Sequence, residues 1–199
     1  MPSRDERRIH YDDFVAYVRA LCTVPRIRAD LEIGRGRPIT ACASLHPHLS
    51  RRVHGHGARR AHYTVASLVA LERPHHRAAP ASDSRDDEAS HLPWHQRRNL
   101  GATLAHVARL RPSGAGPMEK RLQTLTRLSA DWLHPRLPRL AVQLLDAGCL
   151  PDWSVLLDDL AQWDFDRPEV ATRWLDAFYL ALPEPEPDDG EDDDLLEEQ

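Results

Sequence analysis

Histidines, aspartates and arginines are the residues here whose spacing could do chemistry, and each type points to a different activity. The twelve histidines include the close pairs His46-x-His48 and His54-x-His56 and the adjacent His75-His76. Residues two apart on a helix point to different sides, and no H-E-x-x-H or Cys/His finger spacing is present, so no metal centre is expected. These histidines sit in arginine-rich connections and are read as solvated. Asp152, Asp158, Asp159, Asp164 and Asp166 could offer carboxylates to a pair of metal ions. Asp152 and Asp166 stand at helix starts, however, where a carboxylate accepts the unsatisfied N–H groups of the first turn. Asp158 and Asp159 fall on the polar side of their helix and are read as a solvated face. Gly114 and Gly116 lack the Gly-Lys-Ser/Thr ending of a phosphate-binding loop, no Gly-x-Ser-x-Gly elbow exists, and no cysteine stands in a nucleophile motif. The chain is read as not an enzyme, with no cofactor.

The basic residues form a stronger pattern. Arg26/Arg28, Arg51/Arg52, Arg59/Arg60, Arg97/Arg98 and Lys120/Arg121 recur along the chain, and Arg127, Arg136 and Arg139 follow. Lys120 and Arg127 are two helical turns apart and share a face. A guanidinium matches phosphate in a bidentate way, so such a ladder suits tracking a phosphate backbone without reading bases. The competing reading is that these arginines only solubilise helical surfaces. Charge distribution favours contact. The net charge is −5, yet residues 184–199 hold ten acidic groups and no basic one. Residues 1–117 carry 19 basic and 11 acidic groups, 118–145 carry 5 and 2, and 146–183 carry 2 and 8. A basic body with an acidic end is what phosphate binding requires of the body.

Helices must position these cations. Residues 118–182 hold apolar residues at helical period, and Trp153, Leu156, Leu157 and Leu160 follow i, i+3, i+4, i+7 behind an Asp152 cap. Before them come a first helix with Tyr11, Phe14, Val15, Val18 and Leu21 inward, and a short one over 26–31 closed by Gly34. A turn at Leu45-His46-Pro47 leads to a helix near 58–72 with Ala61, Val65, Leu68 and Val69 as its stripe. Leu100, Leu104 and Val107 mark a helix over 98–110. Pro112 to Pro117 break the chain. Beyond the break the spacing predicts helices over 118–133 (Leu122, Leu125, Leu128 and Trp132 inward), 136–147 and 152–163. A last helix is opened by a capping box from Asp166 to Glu169. No segment alternates with period two. The expected fold is all-α, with two small helical lobes at 1–111 and 118–182, a mobile connection at about 74–93 and a disordered acidic tail at 183–199. No apolar run could span a membrane, the N-terminus lacks an apolar leader core, and Cys22, Cys42 and Cys149 form no C-x-x-C pair. A cytoplasmic location is expected.

A set of short motifs carries a resemblance. Arg28-Ala29-Asp30-Leu31, Leu45-His46-Pro47, Tyr63-Thr64-Val65-Ala66, Asn99-Leu100-Gly101 and Glu119-Lys120-Arg121-Leu122 occur in that order. Asp152-Trp153, Leu156-Leu157, Leu160, Trp163, Trp174 and Phe178-Tyr179 follow. Over roughly residues 10–182 this succession resembles the CasB-type small subunit of the type I-E CRISPR surveillance complex (Cascade). The resemblance implies a non-enzymatic helical subunit, two copies of which stack head to tail against other subunits. It also implies basic surface residues that hold the guide RNA–target DNA heteroduplex and the displaced strand. On this basis Arg26, Arg28, Arg98, Lys120, Arg121, Arg127, Arg136 and Arg139 are the candidate nucleic-acid contacts. Glu32-Ile33 depart from the basic residues that often continue the first cluster in the family. The alternative is a helical adaptor that touches only proteins.

Overall fold

The computed structural model describes residues 3–73, 92–110 and 115–183. Most of the connection expected to be mobile, and nearly all of the acidic tail, lie outside the described residues. Among those described, the secondary structure is helical and no strand forms. The order is α1 (Arg4–Leu21), α2 (Pro25–Ile33), two 3-10 turns, α3 (His46–Val53), α4 (Arg59–Val69), a 3-10 turn at Trp94–Gln96 and α5 (Leu100–Leu110). Then come α6 (Gly116–Thr126), α7 (Ala130–Leu133), a 3-10 turn at His134–Arg136, α8 (Leu137–Asp146) and α9 (Trp153–Leu180). No helix among the described residues is long and apolar enough to cross a membrane.

Local chemistry starts and stops these helices. Ser3 and Glu6 form a reciprocal capping box at α1, with Glu6 N donating to Ser3 Oγ and Ser3 N to Glu6 Oε2. Pro25 opens α2, where its missing N–H costs nothing. Asp152 Oδ1 accepts from Ser154 N and Val155 N, as expected of the cap of α9. Within α9, Asp166 leaves helical geometry (φ −144°, ψ 58°) and divides the element into two arms. Pro168 follows in the first turn of the second arm, and Asp166 Oδ1 accepts from Glu169 N at 3.4 Å. Only that half of the expected box forms.

Two helices organise the packing. Every residue of α4 from Ala61 to Val69 is buried, because α1, α2, α3, α8 and α9 all pack on it. The stripe expected from the sequence is therefore only part of its contact surface. Its polar residues are satisfied locally. Ser67 Oγ donates to Tyr63 O at 2.9 Å, and Thr64 Oγ1 bonds His134 Nδ1 at 2.7 Å. The second organiser, α9, packs against α1, α4, α5 and α6. Buried residues from both sides of the 112–117 break belong to one continuous cluster.

Two expectations fail for physical reasons. The helix expected over 118–133 ends at Thr126, and a new one starts with extended Ser129 at its N-cap position, where the serine carbonyl accepts from Trp132 N and Leu133 N. The restart changes the phase, so Ala130 and Leu133 turn inward while Trp132 is 64% exposed. Asp158 and Asp159, expected on a solvated face, are each only 3% exposed. The first arm of α9 has neighbours on more than one side. Asp159 there accepts from Trp174 Nε1 at 2.6 Å and from Arg173 Nη2 at 2.7 Å, both on the second arm.

Candidate nucleic-acid interface

The fold sorts the basic residues into those bonded internally and those left to solvent. Arg97, with a side chain only 6% exposed, forks onto both Asp12 carboxylate oxygens at 2.6 and 3.0 Å and lies 3.8 Å from Asp152. Burial works against its charge, but the Asp12 bonds and the charges of Asp12 and Asp152 outweigh that and hold its pKa above the usual value. Arg173 is held by Asp159, Arg19 by Glu72, Arg60 by Asp131 and Arg73 by Glu32. Glu72 also accepts from the buried Trp153 indole. These are fold-building arginines. The Arg97/Arg98 pair is thus split, since Arg98 is exposed.

None of the eight candidates has a carboxylate at salt-bridge distance among the described residues, a property that Arg4, Arg7, Arg35, Arg37, Arg51, Arg52, Arg59, Arg109 and Arg167 share. Arg26 and Arg28 lie on α2. Arg26 is exposed, while Arg28 is half-buried with its Nε lacking a hydrogen-bond partner. Arg98 precedes α5, and its carbonyl accepts from Asp152 N at 3.2 Å, which ties that turn to the start of α9. Lys120 is exposed on α6, and Arg127 is the exposed C-cap of the same helix. Arg121 is half-buried and donates to Gln143 of α8, so one of the candidates also joins two helices. Arg136 and Arg139 are exposed on the 3-10 turn and on α8. The structure therefore brings Arg121, Arg136 and Arg139 onto neighbouring elements, and sets Arg26 and Arg28 on α2, on another neighbour of α4.

Sequence reasoning missed one member of this surface. Arg136 stands in the 3-10 turn four residues after Trp132, and Arg139 and Gln143 follow one turn apart on α8. The Arg136 guanidinium lies 5.8 Å from the Trp132 ring centroid and donates to Trp132 O at 3.0 Å. Ser129, a residue type favoured at helix starts and standing at the N-cap position of α7, is the signal that would have placed Trp132 outward.

Among the described residues, His10, His46, His48, His56, His62 and His134 form packing and hydrogen-bond contacts. His62 Nδ1 lies 3.0 Å from Ala58 O, so that nitrogen carries the proton, and His62 Nε2 accepts from His10 Nε2 at 3.1 Å. His56 stacks on His10 with centroids 3.5 Å apart. Burial, above all, pushes His10, His62 and His134 down to about 4. His46 bonds Tyr63 and His48 pairs with Asp30, so neither is merely solvated. His75 and His76 lie outside the described residues. Among those described, no group of three or more His, Cys, Asp or Glu side chains could hold a metal ion.

Several motif residues are structural. Asn99 Oδ1 caps α5 by accepting from Ala102 N, and its Nδ2 donates to Arg173 O at 3.2 Å. A Cβ on Gly101 would lie 1.8 Å from Trp174 O, so only glycine admits this approach of α5 to α9. Glu119 Oε1 accepts from Tyr179 Oη at 2.6 Å and Leu122 is buried. In Glu119-Lys120-Arg121-Leu122 only Lys120 is left entirely to solvent.

Comparison with known proteins agrees with this architecture. The family described as CRISPR-associated protein Cse2 matches residues 27–179. The CRISPR-associated protein Cse2 of Thermus thermophilus is 32% identical over 123 residues, covering 62% of this chain and 58% of that protein. The chain thus aligns with a little over half of that relative's length. A chain of a solved CRISPR RNA-guided surveillance complex superposes with a TM-score of 0.71 at 29% identity, covering 88% of this chain and 95% of that one. A chain of such a complex in a pre-nicking state gives 0.73 at 28% identity, covering 88% and 94%. The family is one of non-catalytic subunits. With a family match across three-quarters of its residues and this superposition, the chain belongs to the CRISPR-associated Cse2 family, the CasB-type small subunits that its motifs resemble.

Proposed function

We propose that this chain is the small subunit of a type I-E CRISPR RNA-guided surveillance complex and acts there as a clamp on nucleic acid. Exposed cations on α2, α6 and α8 and in the turns before α5 and α8 hold phosphates of the guide–target heteroduplex and of the displaced strand. Its partners are guide RNA, target DNA, other subunits of the complex and a second copy arranged head to tail. The observation that carries this reading is that Arg26, Arg98, Lys120, Arg127, Arg136 and Arg139 are exposed and have no carboxylate at salt-bridge distance among the described residues. A cation without a carboxylate partner can neutralise a phosphate without first breaking an ion pair. Exchange of a DNA duplex for an RNA–DNA heteroduplex is near balance, so a few phosphate contacts suffice to favour the opened state.

A second reading, an adaptor that touches only proteins, draws on the exposed apolar residues Phe165 (87%) and Leu180 (86%). Salt separates the two. Binding of single-stranded DNA by the purified chain should weaken steeply with added salt, by roughly 0.7 in the log–log slope for each phosphate neutralised. Arg136→Ala should lower that slope by about one contact. A flat salt dependence, or none of the binding, would leave the adaptor.

A further inference from the structure

We propose that Trp132 is a stacking platform for an unpaired nucleobase at one end of a cationic track that runs along α7 and α8. This deepens the nucleic-acid reading above and rests on it. The chain buries its indoles where packing is their purpose, as Trp153, Trp163 and Trp174 show, each 2% exposed or less. Trp132 instead stands 64% exposed on a backbone that is firmly held. Ala130 and Leu133 on either side of it are buried, and the next residue, His134, is buried and bonded to Thr64. The ring is thus presented from a fixed frame; the Arg136 guanidinium lies over one face, and much of the remaining apolar surface is left in water at a cost that a flat partner would remove.

Its neighbours fit a nucleotide. Arg136 lies over the ring, Arg139 follows three residues later on α8, and Gln143, one turn beyond, accepts from Arg121. The neighbouring carboxylate, Asp131, is engaged by Arg60 at 2.5 Å, so its charge is matched locally. An aromatic face followed by guanidinium groups with no carboxylate partner among the described residues complements a base followed by its phosphates, and stacking on an aromatic ring accepts any base. The base must be unpaired, because one inside a duplex offers no free face. The track therefore takes a single-stranded segment.

The test uses the full chain with a labelled oligothymidylate and with an abasic sugar–phosphate chain of equal length and charge. Trp132→Ala should weaken oligothymidylate binding by on the order of tenfold and leave abasic binding and the salt slope unchanged. Trp132→Phe should retain most of the affinity, and Arg139→Ala should weaken both ligands and lower the slope. Unfolding midpoints equal to wild type establish that the variants are folded. Equal loss on both ligands, or loss on neither, overturns the stacking role while salt-dependent wild-type binding keeps the wider reading. Loss of incorporation into the surveillance complex, with both affinities intact, overturns it too and assigns Trp132 to a protein partner. Wild type that binds neither ligand in a salt-dependent way overturns both readings.

Discussion

Gly101 and Trp174 meet backbone against backbone, and that single contact sets how closely α5 can approach α9. Gly101→Ala should cost about 3 kcal/mol by forcing the two helices apart, read as a lowered denaturant midpoint. An unchanged midpoint would mean that the interface relaxes freely. The motif Asn99-Leu100-Gly101 is visible in the sequence as a marker of resemblance, but its reason is not. A glycine near a helix start looks locally like a weak helix former, and only its neighbour, more than seventy residues away in sequence, makes it necessary. Trp132 shows the complementary failure. Counting one apolar period through Ser129 places the ring inside, whereas the extended backbone at Ser129 resets the phase and turns it out. The capping role of Asp152 depends only on the residues beside it, and it is legible from them.

At the scale of elements, periodicity identifies the face a helix turns to its first neighbour and is silent about a second. That is why the stripe of α4 and the Trp153–Leu160 stripe of α9 are legible, while the complete burial of Ala61–Val69 and of Asp158 and Asp159 is not. Asp159 couples the two arms of α9 across the Asp166 break, through Trp174 and Arg173. Burial pushes its carboxyl up to about 6, against the two donors that favour the ionised form. Asp159→Ala should strand a buried indole N–H and a guanidinium and cost about 3 kcal/mol. Protection of second-arm amides from hydrogen exchange should fall before that of the first arm. Uniform loss, or none, would show that the arms are coupled by apolar packing alone. For the candidate site, the sequence reveals which residues are cationic but not which are already engaged. Arg97 and Arg98 are adjacent, yet only the fold bonds one to Asp12 and leaves the other exposed.

For the whole molecule, pH dependence follows from groups held away from their ordinary protonation. His10, His62 and His134, near 4 in the fold, return to about 6.5 when unfolded. Between those values the unfolded chain binds more protons, so stability falls as pH drops from about 6.5 towards 4. Asp159 acts in the opposite sense between about 6 and its unfolded value, because there the folded state binds the extra proton. His106, also lowered by burial, adds to the imidazole side and Asp152, also raised by burial, to the carboxyl side, and the more numerous imidazoles give a net loss on acidification. His10→Phe/His62→Leu should flatten the fall in unfolding midpoint across that window, and an unchanged slope would contradict the assignment. Charge acts at the same scale. Removing residues 184–199 changes the net charge from −5 to +5 and should tighten binding of the free chain to single-stranded DNA at low salt, an effect that screening should erase at high salt. Unchanged affinity at low salt would show that the tail does not compete for the basic face. The most direct test of the clamp is the rate at which target duplex DNA leaves a guide-loaded surveillance complex assembled with and without this chain. Slower release with the chain, lost in Lys120→Glu/Arg139→Glu, is the predicted result. Equal rates with the chain demonstrably bound would contradict it and leave a subunit that contacts only proteins.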